Sequence, residues 1–259
     1  VPANEFMTLE GNQFSTSRNW AVWLPDVLER YDPDAIRYYV TAVMPETRDS
    51  GFAWADFFSR NNDELVATWG NLANRVISFA YKHWDGVVPE PGELGRADQE
   101  LLGLIEAGFG TVGTQIEAVR LRAALAEAMR LAREVNGYLE RAPWFGIIKE
   151  DPSAAARTVY TALRAIDSLK LLLAPFLPFS SQRLHRALGY TDSLFGELRI
   201  EAFTEETRSH QGLIYDSSEA AGRWEPSQLR PGQALAEPEP LYQKLDEEII
   251  ELERGRLGQ

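Results

Sequence analysis

The sequence contains no cysteine. That excludes disulfides and thiolate metal sites, and a reducing compartment is compatible with it. Histidine is scarce. His83, His185 and His210 are scattered along the chain, which argues against a histidine-rich zinc site. No run of about 18 apolar residues occurs, so no transmembrane helix is expected. The opening V-P-A-N-E-F-M has neither a basic region nor a small-residue cleavage site and does not read as a signal peptide. Positive charge is in deficit, with 26 Lys and Arg against 39 Asp and Glu, a net charge of −13. Non-specific nucleic-acid binding runs on basic surface and counterion release, so the totals argue against it. They leave room for a local site that reads a few bases. Neither DNA nor a membrane is expected as a partner.

What is present suffices for a real core. The 259 residues are 44% hydrophobic and 25% charged, ordinary globular proportions for one large or two ordinary domains. Residues 1–30 read as loop and short strand. Asp32, Pro33 and Asp34 then set up a helix, with Asp32 as N-cap and Pro33 at the first helical position. Met44-Pro45 ends it. Leu65, Trp69, Leu72, Val76, Phe79 and His83 recur at steps of four and three, one face of a long helix. Asp85-Gly86 and Pro89 to Gly92 break it. Leu121, Leu125, Ala128, Ala132, Val135 and Leu139 repeat the rhythm. So do Val159, Leu163, Ile166, Leu169 and Leu173, and Ser180 to Leu188 reads as a last short helix. Three or four amphipathic helices without convincing strands between them predict a mainly α protein built on a helical bundle. Beyond Gly189 the pattern decays. Residues 204–239, rich in Glu, Ser, Gly, Pro and Gln, read as irregular, and Leu241 to Leu257 regains helical spacing. The expected organisation is a connecting region at 1–55, a bundle at 56–190 and an acidic irregular segment with a C-terminal helix at 191–259.

One polar stretch stands out, E-G-N-Q-F-S-T-S-R-N-W from Glu10 to Trp20. Its hydroxyls, amides and single arginine suit a loop that holds an anion. Two further clusters matter. N-L-A-N-R, Asn71 to Arg75, places two polar side chains four apart on one helix face. N-G-Y-L-E-R-A-P-W, Asn136 to Trp144, ends in an indole whose chain direction Pro143 should fix. Arginine offers a planar fork, asparagine a paired donor and acceptor, and an indole a stacking face. All three suit unstacked bases of a single-stranded loop.

Taken in order, the opening stretch, Y-D-P-D-A-I-R-Y-Y-V, N-L-A-N-R and N-G-Y-L-E-R-A-P-W resemble the C-terminal half of methionine–tRNA ligases, class I aminoacyl-tRNA synthetases. The likeness runs in register to about residue 190 and returns in P-L-Y-Q-K-L-D, Pro240 to Asp246. It implies a small connecting region carrying the family's K-M-S-K-S loop, followed by an anticodon-binding bundle. Aligned to that loop, this sequence reads Gln13-Phe14-Ser15-Thr16-Ser17, with Arg18 the nearby cation. Both lysine positions are changed. The resemblance assigns Gln13, Phe14, Ser15, Thr16, Ser17 and Arg18 to ATP, with Ser15, Thr16 and Ser17 the loop's catalytic positions. It assigns Asn71, Arg75 and Trp144 to the CAU anticodon of methionine tRNA. Asn136 either shapes that site or caps a helix end. Arg37 is read as structural, linking its helix to neighbouring carboxylates.

The H-I-G-H-like motif of the class is absent. The implied role is therefore one portion of a cytoplasmic enzyme of translation, using ATP with Mg2+ in its complete form. This portion would bind tRNA, work with an N-terminal catalytic domain in cis or trans, and hold no cofactor or metal of its own. A free-standing tRNA-binding module without ligase activity and a protein-interaction or regulatory paralogue remain as alternatives, as does a truncated piece of an intact enzyme.

Overall fold

The structure, a computed structural model, describes residues 3–142 and 144–259. The chain opens on a small sheet. β1 (Met7–Leu9) pairs antiparallel with β2 (Asn12–Gln13) and parallel with β3 (Ser50–Phe52), with Leu9 opposite Phe52. Two helices lie between β2 and β3, α1 (Leu24–Arg30) and α2 (Pro33–Ala42). The α2 start is as the sequence predicts: the Asp32 carboxylate accepts the Asp34 N–H and Pro33 occupies the first turn. Arg37 serves structure, but among the described residues it pairs with no carboxylate. Its guanidinium donates to the carbonyls of Phe176 and Pro175, 3.0 Å each, satisfying a helix end that has lost its own donors.

A single helical run then carries the chain into the bundle. α3 (Trp54–Ser59) passes into a π-helical segment, Arg60–Gly70, and that into α4 (Asn71–His83). The Asn71 N–H reaches back five residues to the Val66 carbonyl. Two demands from the C-terminal part of the chain sit on this wide turn. Asn61 and Asn62 are buried and bond the backbone of Gln243 and Leu245. Gly70 lies under Tyr242, where a Cβ would come within 2.9 Å of the ring. Wide helical turns of this kind are frequent at functional sites. Leu65, Trp69, Leu72, Val76 and Phe79 are buried as their spacing predicts, whereas His83, one step further, is exposed because the helix has by then cleared the bundle.

The bundle proper is α5 (Arg96–Glu117), α6 (Leu121–Arg141) and α7 (Pro152–Leu173), packed on one another, with α4 against α7. α8 (Pro178–Ala187) packs on α7 and α2. α7 is the axis of the molecule, buried on nearly every side, including the polar Thr161, Asp167, Ser168 and Lys170. α5 goes unpredicted although Leu101, Ile105, Phe109 and Val112 recur at helical steps and are buried. Four glycines interrupt it, and Gly108 has the tightest surroundings of them. A Cβ there would lie 2.5 Å from Leu131 Cδ1 and 3.0 Å from Leu172 Cδ1, so the residue lets three helices close on each other.

Beyond α8 the structure departs from expectation. β4 (Glu197–Thr204) and β5 (Ser209–Asp216) form an eight-pair hairpin, from Glu197 opposite Asp216 to Thr204 opposite Ser209. Strand was not expected there, although Leu198, Ile200 and Ala202 alternate with Arg199 and Glu201 along β4, and the hairpin buries almost nothing. The irregular stretch after it is packed down. Trp224 donates to the Phe109 carbonyl on α5, and Leu229, Leu235 and Tyr242 are buried. The last helix, α9 (Glu248–Gly255), is shorter than Leu241–Leu257, because Leu241 to Leu245 runs extended against the π-helical segment.

A buried polar network pins this return. Lys170 Nζ donates to Asp167 Oδ1 at 2.6 Å and to His185 Nδ1 at 2.9 Å. Lysine only donates, so His185 accepts there. It therefore carries its proton on Nε2, which faces Asp192 Oδ1 at 2.9 Å. Tyr190 and Ser227 donate to the other Asp167 oxygen. Burial, with the ammonium beside it, pushes the His185 imidazole below its ordinary pKa, and burial likewise lowers Lys170.

Candidate nucleic-acid interface and phosphate loop

The opening loop is a closed turn. Ser15 and Trp20 exchange two backbone hydrogen bonds, 2.9 and 2.8 Å, and the Asn19 N–H returns to the Thr16 carbonyl. Asn19 sits in the left-handed region at φ 48°, a conformation in which asparagine is enriched. Its amide is held from two sides: the Trp23 indole donates to Oδ1, and Nδ2 donates to the Gln259 carbonyl, 2.8 Å each. The Trp20 indole donates to the Leu9 carbonyl and ties the turn to β1. Gln13, Phe14, Thr16, Ser17 and Arg18 are exposed, and the hydroxyls of Ser15 and Ser17 lie 3.3 Å apart. Among the described residues no acceptor faces the N–H groups of Thr16, Ser17 or Arg18. The turn therefore presents hydroxyls, backbone donors and one guanidinium on a single stretch, a donor set that suits phosphate oxygens.

The far end of the chain braces this turn. Gly258 N–H donates to the Asn19 carbonyl, and on α9 Arg254 bonds Glu10, which also accepts the Trp54 N–H. Glu253 is 3% exposed and is gripped by Arg30 through two bonds, 2.8 and 3.0 Å, with Tyr31 donating at 2.9 Å. Burial and the adjacent carboxylate push the Tyr31 hydroxyl up to about 12.

The second site lies where α4 meets the end of α6. Asn71 and Arg75 are exposed, one turn apart on the same face. Arg75 Nη2 donates to Asn136 Oδ1 at 3.3 Å, across 61 residues of sequence. Asn136 lies inside α6, so it caps no helix end. Its amide instead donates to the Thr68 carbonyl in the π-helical segment and to the Ala132 carbonyl. The Arg75 guanidinium carbon stands 5.9 Å from the Trp144 ring centre, within cation–π range. Trp144 is 8% exposed. Its indole N–H caps the end of α6 by donating to the Leu139 carbonyl, and the ring meets the edge of Phe79 at 4.9 Å. Arg75, Asn136 and Trp144 are thus one cluster with Asn71 at its edge. The indole is seated inward, with the guanidinium beside it. Pro143, expected to direct the chain here, lies outside the described residues. Sequence reasoning did not reach Phe145, whose ring stands beside Trp144 and Phe79.

Two family models match this chain. Residues 1–77 match that described as tRNA synthetases class I (M), and residues 88–211 match the anticodon binding domain of methionyl tRNA ligase. The methionine–tRNA ligase of Thermomicrobium roseum is 58% identical over 99% of this chain and 44% of its own length. That of Roseiflexus castenholzii is 52% identical over 99% and 43%. The chain belongs to the methionine–tRNA ligase family. It spans under half the length of the curated relatives it matches. The fold agrees. The apo methionyl-tRNA synthetase of Mycobacterium tuberculosis superposes with a TM-score of 0.74 at 23% identity, over 94% of this chain and 43% of that one. Its complex with methionyl-adenylate gives 0.74 at 24%, over 93% and 43%. Among the described residues no helix is long and apolar enough to cross a membrane, and no three His, Cys, Asp or Glu are grouped to hold a metal ion.

Proposed function

We propose that this chain is the C-terminal portion of a methionine–tRNA ligase. Its bundle reads the CAU anticodon of methionine tRNA through Asn71, Arg75 and Trp144, and its opening turn serves the phosphates of ATP. The observation that carries the reading is the Arg75–Asn136–Trp144 cluster. Three residues distant in sequence meet at the open edge of a rigid bundle, and their chemistry is that of base recognition. Asn136 holds the guanidinium at the helix edge, where its fork can meet a base edge once it leaves the indole. A base that stacks on Trp144 takes the place of that guanidinium.

The connecting region at 1–55, the bundle at 56–190 and the segment at 191–259 divide the work. In amino-acid activation negative charge gathers on the phosphates as pyrophosphate leaves. Ser15, Thr16, Ser17 and the guanidinium of Arg18 are the donors this chain offers to it, with Gln13 and Phe14 leading into the turn. Mg2+ travels with the nucleotide, and no ligand for it is assigned to this chain. The nucleotide fold and the methionine pocket belong to the N-terminal half, in cis or trans, in the cytoplasm. The changed lysine positions favour one second reading, a tRNA-binding module without ligase activity.

Arg75→Lys tests the central assignment, because it keeps the charge and removes the fork. Affinity for an anticodon stem-loop carrying CAU should fall roughly 5- to 100-fold, while affinity for a stem-loop with a replaced triplet stays unchanged. Equal loss on both RNAs would make Arg75 a general phosphate contact, and no loss on either would remove it from the interface.

A further inference from the structure

Next to the anticodon cluster lies an aromatic surface that the reading above does not use. Phe145 sits in the loop between α6 and α7 and is 72% exposed. Its ring is not loose. It lies 5.7 Å from the buried Phe79 ring at a shallow 36° and 5.8 Å from the Trp144 ring at 70°. Phe79 also meets the ring of the exposed His83 at 4.3 Å, tilted by 44°, so the aromatic patch continues along α4. The loop is fixed downstream, where Glu150 and Asp151 return their N–H groups to the Ile147 carbonyl and Asp151 caps α7. Gly146 stands in open space. Lys82 follows Phe79 by three residues on α4 and Lys149 follows Phe145 by four in the loop; both are exposed, and among the described residues neither has an ion-pair partner.

An aromatic ring held against a core aromatic on one side and open to solvent on the other is a preformed platform. Every base offers a π-face to such a ring, and lysines beside it suit the adjoining phosphates. The surface is continuous with Trp144, which makes single-stranded RNA its fitting occupant. We propose that Phe145 is a second stacking platform, taking an unpaired base of the anticodon loop outside the triplet, with Lys82 and Lys149 meeting the backbone beside it. This rests on the anticodon reading and adds a subsite to it. Stacking tolerates any base, so the subsite contributes affinity and register and does not itself read sequence.

The test uses the whole 259-residue chain and a CAU stem-loop at fixed salt. Phe145→Ala should weaken binding about ten-fold, and Phe145→Trp should retain it. Abasic sites are then placed one by one at the loop positions outside the triplet. One of them should weaken wild-type binding about as much as Phe145→Ala does, and should cost nothing further in that variant. Exchanging the base at that position for another should leave binding intact. Phe145 is exposed, so its removal should leave thermal unfolding unchanged, and an unfolding scan checks this. If wild type distinguishes CAU from a replaced triplet but Phe145→Ala binds like wild type, the platform is overturned and the anticodon reading survives. If Phe145→Ala weakens binding equally with every abasic RNA, no single base stacks there and the platform is again overturned. If wild type does not distinguish the triplets, both fall together.

Discussion

At the scale of single residues, Arg18 is the one cation of the stretch from Gln13 to Arg18 in the opening turn. With the catalytic half supplied in cis or trans, Arg18→Ala should lower methionine-dependent ATP–pyrophosphate exchange roughly hundredfold, about 2.7 kcal/mol of lost charge stabilisation. It should leave binding to the anticodon stem-loop unchanged. Undiminished exchange in that variant would place the phosphate contacts on other residues. The position of a residue was legible in the sequence where spacing carried it. Asn71 and Arg75 declare a shared helix face, and both stand on one, exposed. Asp32-Pro33 declares a helix start and provides it. The inward seat of Trp144 was not legible, because it depends on Phe79 across the bundle and on the Leu139 carbonyl at the end of α6. Asn136 was legible only as a choice between two roles; it caps no helix end and bonds Arg75.

At the scale of elements, the amphipathic helices could be read because one face of each is apolar. α5 escaped although Leu101, Ile105, Phe109 and Val112 make such a stripe, because its four glycines lower its helix propensity. α5 depends on Gly108 letting Leu131 and Leu172 approach. Gly108→Val should therefore destabilise the fold by about 1–3 kcal/mol through overpacking, seen as a lower Tm, even though valine is the more apolar residue. An unchanged Tm would show that α5 can shift outward at no cost. The β4–β5 hairpin escaped although Leu198, Ile200 and Ala202 alternate along β4; in the fold Leu198, Ile200 and Leu213 remain exposed. The π-helical segment escaped because the residues that hold it open lie about 180 positions later. α9 depends on Glu253, a buried carboxylate with Arg30 and Tyr31 as partners. Glu253→Gln removes the counter-charge of Arg30, which is 28% exposed and keeps part of its hydration, and should cost about 1–3 kcal/mol, seen as a lower Tm; an unchanged Tm would show that α9 does not depend on the pair.

At the scale of the molecule, the chain is closed by its own C-terminal part, which runs from the bundle back past the π-helical segment to the opening turn. The Lys170–His185 network is the first anchor of that return, and it makes stability depend on pH. Burial holds the His185 pKa below its unfolded value of about 6.5. The unfolded chain therefore takes up the proton first, and the contribution is fully present above pH ~6.5 and is lost as pH falls from there through the folded pKa. Unfolding scans between pH 7 and 5.5 should show Tm falling in wild type and falling less in His185→Gln. Equal slopes would mean that other groups carry the acid sensitivity.

The net charge of −13 bears on the same scale, because an acidic body offers little non-specific hold on RNA. Binding must then come from the local cluster, and selectivity should be visible directly. The decisive measurement is the affinity of this chain for a CAU stem-loop against the same stem-loop with the triplet replaced, at one stated salt concentration. Base discrimination of about 1–3 kcal/mol per contact predicts a preference for CAU of at least tenfold. Equal binding to both would contradict the anticodon assignment and leave the family's fold in this chain without its reading function.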